Sequence, residues 1–301
     1  MSLLVTGSIG IDTVEAPSGK VADALGGSSV YFSQAASFFS DVRFVGVVGD
    51  DCPEGFLQPL HDNPRIDMAG LEVRAGSKTF RWHGRYHEDV NVRDTVAVEL
   101  NVLAEVGPTI PEAFRDSQYV FLANTHPALQ MELLGQLPAA KLIVADTMDL
   151  WITTERDALV RLLEHIHGLV LNDAEARLLT EDPDVVSAGR KIARQVRDFV
   201  VVKKGEHGSL LFVADDVYPL PSYPATRVVD PTGAGDCFAG AMMGHLAAED
   251  RFDPATLRRA IAYGTVVAGI ELEGFSLKRL LKATREEIDH RLEDFRQKLT
   301  F

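Results

Sequence analysis

At 301 residues the chain exceeds the usual single-domain size, leaving room for one large α/β domain or a domain with a small appendage. An apolar fraction of 46% excludes a disordered chain, and no run reaches the roughly 18 apolar residues of a membrane span. The net charge of −14 is spread along the whole length without a basic patch, which argues against nucleic acid as a partner.

In chain order, Leu3–Ser8 reads as a first core strand, because the start has neither a basic stretch nor the small-residue site of a secretory signal. Cys52 and Cys237 are too few for a disulfide framework or a zinc site, so a cytoplasmic, reducing compartment is expected. Further strands are predicted at Arg43–Val48, Gln118–Leu122, Lys141–Ala145, Gly168–Leu171, Phe199–Val202, Ser209–Val213 and Thr226–Val229. Helical patterns cover Ser28–Phe39, Ala128–Leu137, Asp157–His165, Ala174–Leu179, Ser187–Arg197, Ala234–Ala248, Pro254–Leu272 and Leu277–Gln297. Such alternation predicts a doubly wound α/β fold, a mostly parallel sheet covered on both faces. Between Thr79 and Tyr86, large apolar groups fall at every second position, and Thr95–Leu100 follows as another strand with no helix between. A small sheet set apart from the core accounts for both.

The chemistry concentrates in Val228-Val229-Asp230-Pro231-Thr232-Gly233-Ala234-Gly235-Asp236-Cys237-Phe238. A turn of small residues opens into an apolar helix, and the amides of Gly233, Ala234 and Gly235 with the positive helix end make an anion site. A transferring phosphoryl group needs such donors for its equatorial oxygens. Asp236, in the first turn, is placed to accept a proton from an attacking hydroxyl, and the helix dipole is expected to lower its pKa. A plain alternative is an acid that only stabilises the helix end.

This run resembles the C-terminal signature of the ribokinase-like (PfkB) carbohydrate kinase family, usually Asp-Thr-x-Gly-Ala-Gly-Asp-x-Phe. Other pieces follow in the family's order: Gly7-Ser8-Ile9-Gly10-Ile11-Asp12, Gly26-Gly27, Asn172-Asp173-Ala174-Glu175 and Val202-Lys203-Lys204-Gly205-Glu206-His207-Gly208. The resemblance implies a three-layer α/β/α sandwich over 1–301 with a small β-sheet lid formed by segments about 11–25 and 75–105. It implies an ATP-dependent kinase using Mg²⁺, with Asp236 as base and Gly233, Ala234 and Gly235 as anion hole. Asp12, Gly26 and Gly27 would contact substrate. Asn172, Glu175, Lys203, Gly205, Gly208 and Gly274 would line the nucleotide, with Glu175 reaching Mg²⁺ through water. Asp230 and Thr232 would border a site for a monovalent cation such as K⁺. Read from the residues alone, Asn172 and Glu175 also fit a capping box, and Lys203-Lys204 fit two solvated lysines.

Two departures bear on the substrate. Tyr31 stands where the family places an asparagine, and Pro231 replaces a common threonine. Phe80, Trp82 and Tyr86 make the lid aromatic, and aromatic faces stack on nucleobases. With Thr79-Phe80-Arg81-Trp82 and the Lys203–Gly208 run, which are similar to a nucleoside kinase subgroup, this implies a nucleoside acceptor held by Tyr31 and Trp82. Sugars and sugar acids are the other acceptors in view, a packing role for the aromatic strand is another reading, and a homodimer through the lid is implied by analogy. The alternative of another class is a catalytically silent sensor of sugar or nucleotide.

Overall fold

The computed structural model describes residues 1–300. Its strands are β1 (Leu3–Thr6), β2 (Gly10–Ala16), β3 (Gly19–Gly26), β4 (Val42–Gly49), β5 (Ile66–Arg74), β6 (Phe80–Tyr86), β7 (Arg93–Glu99), β8 (Tyr119–Leu122), β9 (Leu142–Asp146), β10 (Gly168–Asn172), β11 (Phe199–Lys203), β12 (Ser209–Val213) and β13 (Asp216–Leu220). Nine of them form one sheet in the order β13-β12-β11-β10-β9-β8-β1-β4-β5. All neighbours from β11 to β5 are parallel, and the β11–β12–β13 edge is antiparallel.

Continuous apolar runs form these strands because both faces are buried. Leu3, Val5, Phe121 and Val201 point into the layer of Ser28–Ala36, Ala234–Glu249 and Pro254–Glu271, among Phe32, Met242, Met243 and Val266. Their neighbours Leu4, Val120 and Val200 point the other way, onto Leu159, Leu162 and Ile192. The expected three-layer sandwich is therefore present. In the first layer, a Cβ on Gly240 would come within 2.3 Å of the Phe32 carbonyl, and one on Gly244 within 2.7 Å of the Ala36 carbonyl. Glycine at both positions lets the helix after Gly233 pack backbone to backbone on the helix after Gly27.

The second sheet has the order β3-β2-β6-β7. β2 and β6 run parallel, with Asp12 opposite Trp82 and Gly10 opposite Phe80, so these four positions share a face. Among the described residues no single helix is long and apolar enough to cross a membrane.

Three expectations are corrected. Thr226–Val229 is not a strand: β13 already closes that edge, Val228 stands exposed, and the Val229 amide bonds the Leu272 carbonyl at 2.7 Å in a loop-to-loop contact. The apolar residues there pack a loop and pair with no strand. The long C-terminal helix is broken into two short 3₁₀ turns, Ser276–Lys278 and Leu280–Lys282, before a helix from Arg285 to Lys298 capped by Thr284. Ser276, with φ of 52°, bends the chain out of helical geometry. Two edge strands, β5 and β13, escaped the sequence reading; Gly70 and Pro219 sit inside them, residues that mark strand edges more than centres.

Glu271 ends the Pro254–Glu271 helix fully buried, and neither carboxylate oxygen has a hydrogen-bond partner among the described residues. Burial first, then the charges of Asp230 and Asp236, push its pKa well above the usual carboxylate range. A folded pKa above the unfolded one gives stability that is full below the unfolded value and lost as pH rises through the folded value. Glu271→Gln is thus expected to melt close to wild type in mild acid and above it in alkali. An orphaned buried polar group accounts for about 1–3 kcal/mol. Melting curves from pH 5 to 9 check this, and a difference independent of pH contradicts it.

Candidate active site

In open α/β sheets, ligands gather beyond the carboxyl ends of parallel strands. Here successive strands end there in a polar residue: Asp146 on β9, Asn172 on β10 and Lys203 on β11, with Val170 opposite Asp146 and Asn172 opposite Lys203. The loop 230–233 delivers the helix that begins at Ala234 to the same place.

Gly233 caps that helix with φ of 84°, a left-handed conformation that favours glycine. The Tyr31 ring lies directly beneath, and a Cβ on Gly233 would come within 2.4 Å of it. Among the described residues the Gly233 and Gly235 amides have no acceptor, whereas the Ala234 amide donates to the Pro231 carbonyl at 3.3 Å. The predicted three-amide cradle is thus open at its two glycines, and Ala234 closes the turn. Lys203 Nζ stands 2.6 Å from where a Gly235 Cβ would be, so this lysine reaches the cradle and is not merely solvated.

Asp236 sits in the first turn, half-buried. Its expected low pKa is not found. Loss of water raises it to about 7, outweighing the nearby positive charges of Lys203 and Arg93. A carboxylate poised near neutrality is a stronger proton acceptor than the helix end alone predicts.

Asn172 and Glu175 form a capping box: Glu175 N–H donates to Asn172 Oδ1 at 2.8 Å, and the Asn172 amide donates to Glu175 Oε2 at 2.7 Å. Loss of water raises the Glu175 pKa, against the Asn172 amide and the charge of Lys203, which lower it. Asp230, fully buried, accepts from the amides of Thr232 at 2.9 Å and Ser276 at 3.3 Å, and so ties the cradle loop to the loop after Glu271. Gly274 lies in that second loop, against Arg279, whose guanidinium and that of Arg291 both clasp Glu273. Gly205 and Gly208 bound the turn after β11.

On the other side, Asp12 is buried with Oδ1 unpartnered. Desolvation, then Asp230 and Asp236, raise its pKa to about 8. Gly26 makes room for it, since a Cβ there would fall 1.9 Å from Asp12 Oδ2, and Gly27 begins the next helix at φ of 100°. Trp82 stands beside Asp12 on the small sheet. Tyr31 does not join this platform: its side chain is 2% exposed and supports Gly233, so its ring offers no face for stacking.

Asp146 was missed in the sequence. Its side chain is buried and its Oδ1 has no partner; loss of water, then the charge of Asp236, pushes its pKa well above the usual carboxylate range, against the charge of Lys203. The signal was present in an acid that ends an apolar strand next to the one ending in Asn172. Tyr86, whose hydroxyl accepts from Thr232 Oγ1 at 3.2 Å, was named only as part of an aromatic lid. Among the described residues no cluster of three or more His, Cys, Asp or Glu is preassembled to hold a metal.

A helix start with open amides, a lysine, a proton acceptor and nearby carboxylates is the equipment of phosphoryl transfer. The chain belongs to the pfkB family of carbohydrate kinases, whose model matches residues 29–279. It is thus a kinase. A cytidine kinase of Thermococcus kodakarensis is 30% identical over 249 residues, covering 81% of this chain and 87% of that protein. An aminoimidazole riboside kinase of Salmonella typhimurium is 23% identical over 274 residues, covering 86% and 85%. The structure of a Burkholderia thailandensis nucleoside kinase in complex with inosine superposes with a TM-score of 0.79 at 20% identity, covering 97% of this chain and 98% of that one.

Gly233→Ala is expected to force both a left-handed alanine and a clash with Tyr31. Strain of that kind amounts to about 1–3 kcal/mol, and the displaced amide leaves the cradle incomplete. Thermal melts should fall and turnover should be lost; a variant matching wild type in both contradicts the assignment.

Proposed function

We propose that the chain transfers the γ-phosphoryl group of ATP to the hydroxymethyl group of a ribonucleoside. The observation that carries the acceptor is the platform on the small sheet, where the Asp12 carboxyl, its Oδ1 unpartnered, lies against the Phe80 ring across Gly10, and Trp82 follows on the same face with its ring over Gly84. A carboxyl next to aromatic faces suits ribose hydroxyls next to a base. Relatives named for cytidine and for a riboside support the same class. A silent sensor finds no support, since Asp236 and the cradle glycines are intact.

In the proposed reaction the acceptor binds under the small sheet, which acts as a lid, with its ribose on Asp12 and the Gly26-Gly27 turn. ATP lies along the carboxyl ends of β10 and β11, its phosphates on Asn172 and Lys203 and its base between the Gly205–Gly208 turn and Gly274. Asp236 takes the hydroxyl proton as the oxygen attacks the γ-phosphorus. The bond to the bridging oxygen breaks, and ADP leaves with that electron pair. The amides of Gly233 and Gly235 hold the equatorial oxygens. Glu175 and the free Oδ1 of Asp146 fit a hydrated Mg²⁺, which needs few protein carboxylates. Bound there it would offset phosphate charge. K⁺ is assigned to Asp230 and Thr232, beside the partnerless Glu271.

ADP release from MgATP across ribonucleosides, ribose, fructose and 2-keto-3-deoxygluconate tests the reading. Turnover is expected with a ribonucleoside, and Asp236→Asn should lower it by about 10²–10⁴-fold. Trp82→Ala should raise the KM of the nucleoside, reflecting roughly 1–3 kcal/mol of lost stacking. Activity confined to free sugars would retain the kinase and reject the nucleoside.

A homodimer through the lid belongs to the same proposal. β7 is an edge strand exposed along its whole length, with Val96 and Val98 at its surface, and such an edge invites pairing or cover. Val98→Lys is expected to shift sedimentation from dimer to monomer; a wild-type monomer at micromolar concentration rejects the dimer.

A further inference from the structure

The β2–β3 hairpin of the small sheet lies against two loops of the main body. At its turn the Ser18 hydroxyl donates to the Val229 carbonyl, and the Phe275 ring stands 3.8 Å from where a Cβ on Gly19 would be. At its far end the Leu25 carbonyl accepts from Ser276 Oγ at 2.5 Å. Leu25 directly precedes the Gly26-Gly27 turn, which makes room for Asp12.

Three parts of the chain meet at Ser276. Besides its bond to Leu25, its amide donates to Asp230 Oδ2 at 3.3 Å. Asp230 Oδ1 in turn accepts from the Thr232 amide at 2.9 Å, one residue before the open Gly233 amide of the cradle. Gly274, two residues before Ser276, belongs to the loop assigned to the nucleotide base. Neither 228–233 nor 272–275 belongs to a helix or strand, so point contacts hold them in place. Ser276 itself is 9% exposed and takes φ of 52°, a backbone conformation rare for a residue with a side chain. Glycine would take that conformation freely; serine adds the hydroxyl that reaches Leu25. A separate link, from Thr232 Oγ1 to the Tyr86 hydroxyl at 3.2 Å, joins the cradle loop to β6 and not to the acceptor turn.

We propose that Ser276 is a positioning residue that couples the two substrates. Through it, ATP on the cradle steadies the acceptor turn at Gly26-Gly27, and the acceptor steadies the loops that hold ATP. This rests on the placement of acceptor and ATP proposed above. Ser276 acts through Asp230 and Leu25 and takes no part in the transfer itself. Whichever ligand arrives first orders the contacts around Ser276, and the second meets a site already ordered, so it binds more tightly. Such coupling is reciprocal: the factor by which ATP tightens the acceptor equals the factor by which the acceptor tightens ATP.

The test uses the full chain, whichever acceptor the wild type turns over, and the Mg²⁺ complex of an ATP analogue whose imido bridge between the β- and γ-phosphorus prevents transfer. Calorimetric titration gives each affinity alone and with the other ligand present. In the wild type each ligand should tighten the other by about 5-fold or more, equally in both orders. Ser276→Ala keeps the strained backbone and loses the hydroxyl, and should bring that factor below about 2 while each affinity measured alone changes less than about threefold. Ser276→Gly relieves the backbone but also lacks the hydroxyl, so it should melt above Ser276→Ala and be equally uncoupled. A wild type whose ligands bind independently overturns the proposal, as does wild-type coupling in Ser276→Ala, whether or not Tyr86→Phe then removes it. Coupling that returns in Ser276→Gly together with the melting temperature also overturns it, since the residue would then act through stability alone. Turnover of no acceptor in the panel would instead remove the acceptor reading, and this inference with it.

Discussion

Five acidic side chains, Asp12, Asp146, Asp230, Asp236 and Glu271, are gathered around the first turn of one helix, in surroundings that hold little water. Burial disfavours each charge, and for all but Asp230 a neighbouring acid adds to it. Against them stand Lys203 inside and Arg93 from the small sheet. Acids pushed up in this way hold protons near neutrality, and proton uptake relieves their repulsion. A cation or hydrogen-bond donor brought among them would favour release of those protons.

That arrangement explains why the sequence was informative in some places and mute in others. The cradle was legible because its demands are local: Gly233 must turn left-handed, Asp236 must follow within one turn, and an apolar helix must carry both. The central strands were legible because burial on both faces leaves unbroken apolar runs such as Leu169-Val170-Leu171. Thr226–Val229 imitates such a run, and only the absence of a free neighbour betrays it. β5 and β13 lie at edges, where one side needs no apolar partner and the pattern fades.

Side-chain chemistry set by distant parts of the chain was not legible. The pKa of Asp236 follows from its burial in the assembled fold, which outweighs the pull of its helix end. Tyr31 looked like a ligand contact because its type and place departed from the family pattern. Its actual neighbour, Gly233, is two hundred residues away along the chain, a contact no local pattern reveals. Asp146 was readable in principle, by lining up the last residues of adjacent strands, and was passed over because one strand end considered singly says little.

The backbone-to-backbone seat of Gly240 and Gly244 on the helix after Gly27 has a mechanical meaning. The helix that positions Asp236 and the helix that starts at the Gly26-Gly27 turn share a seam with no side chain to compress, so they form a fixed jaw. The small sheet joins the core through four short segments, 7–9, Gly27, 75–79 and Leu100, so any movement of it is taken up there while the two helices keep their spacing. Enlarging either glycine would wedge that seam apart and shift Asp236 and the Gly26-Gly27 turn together.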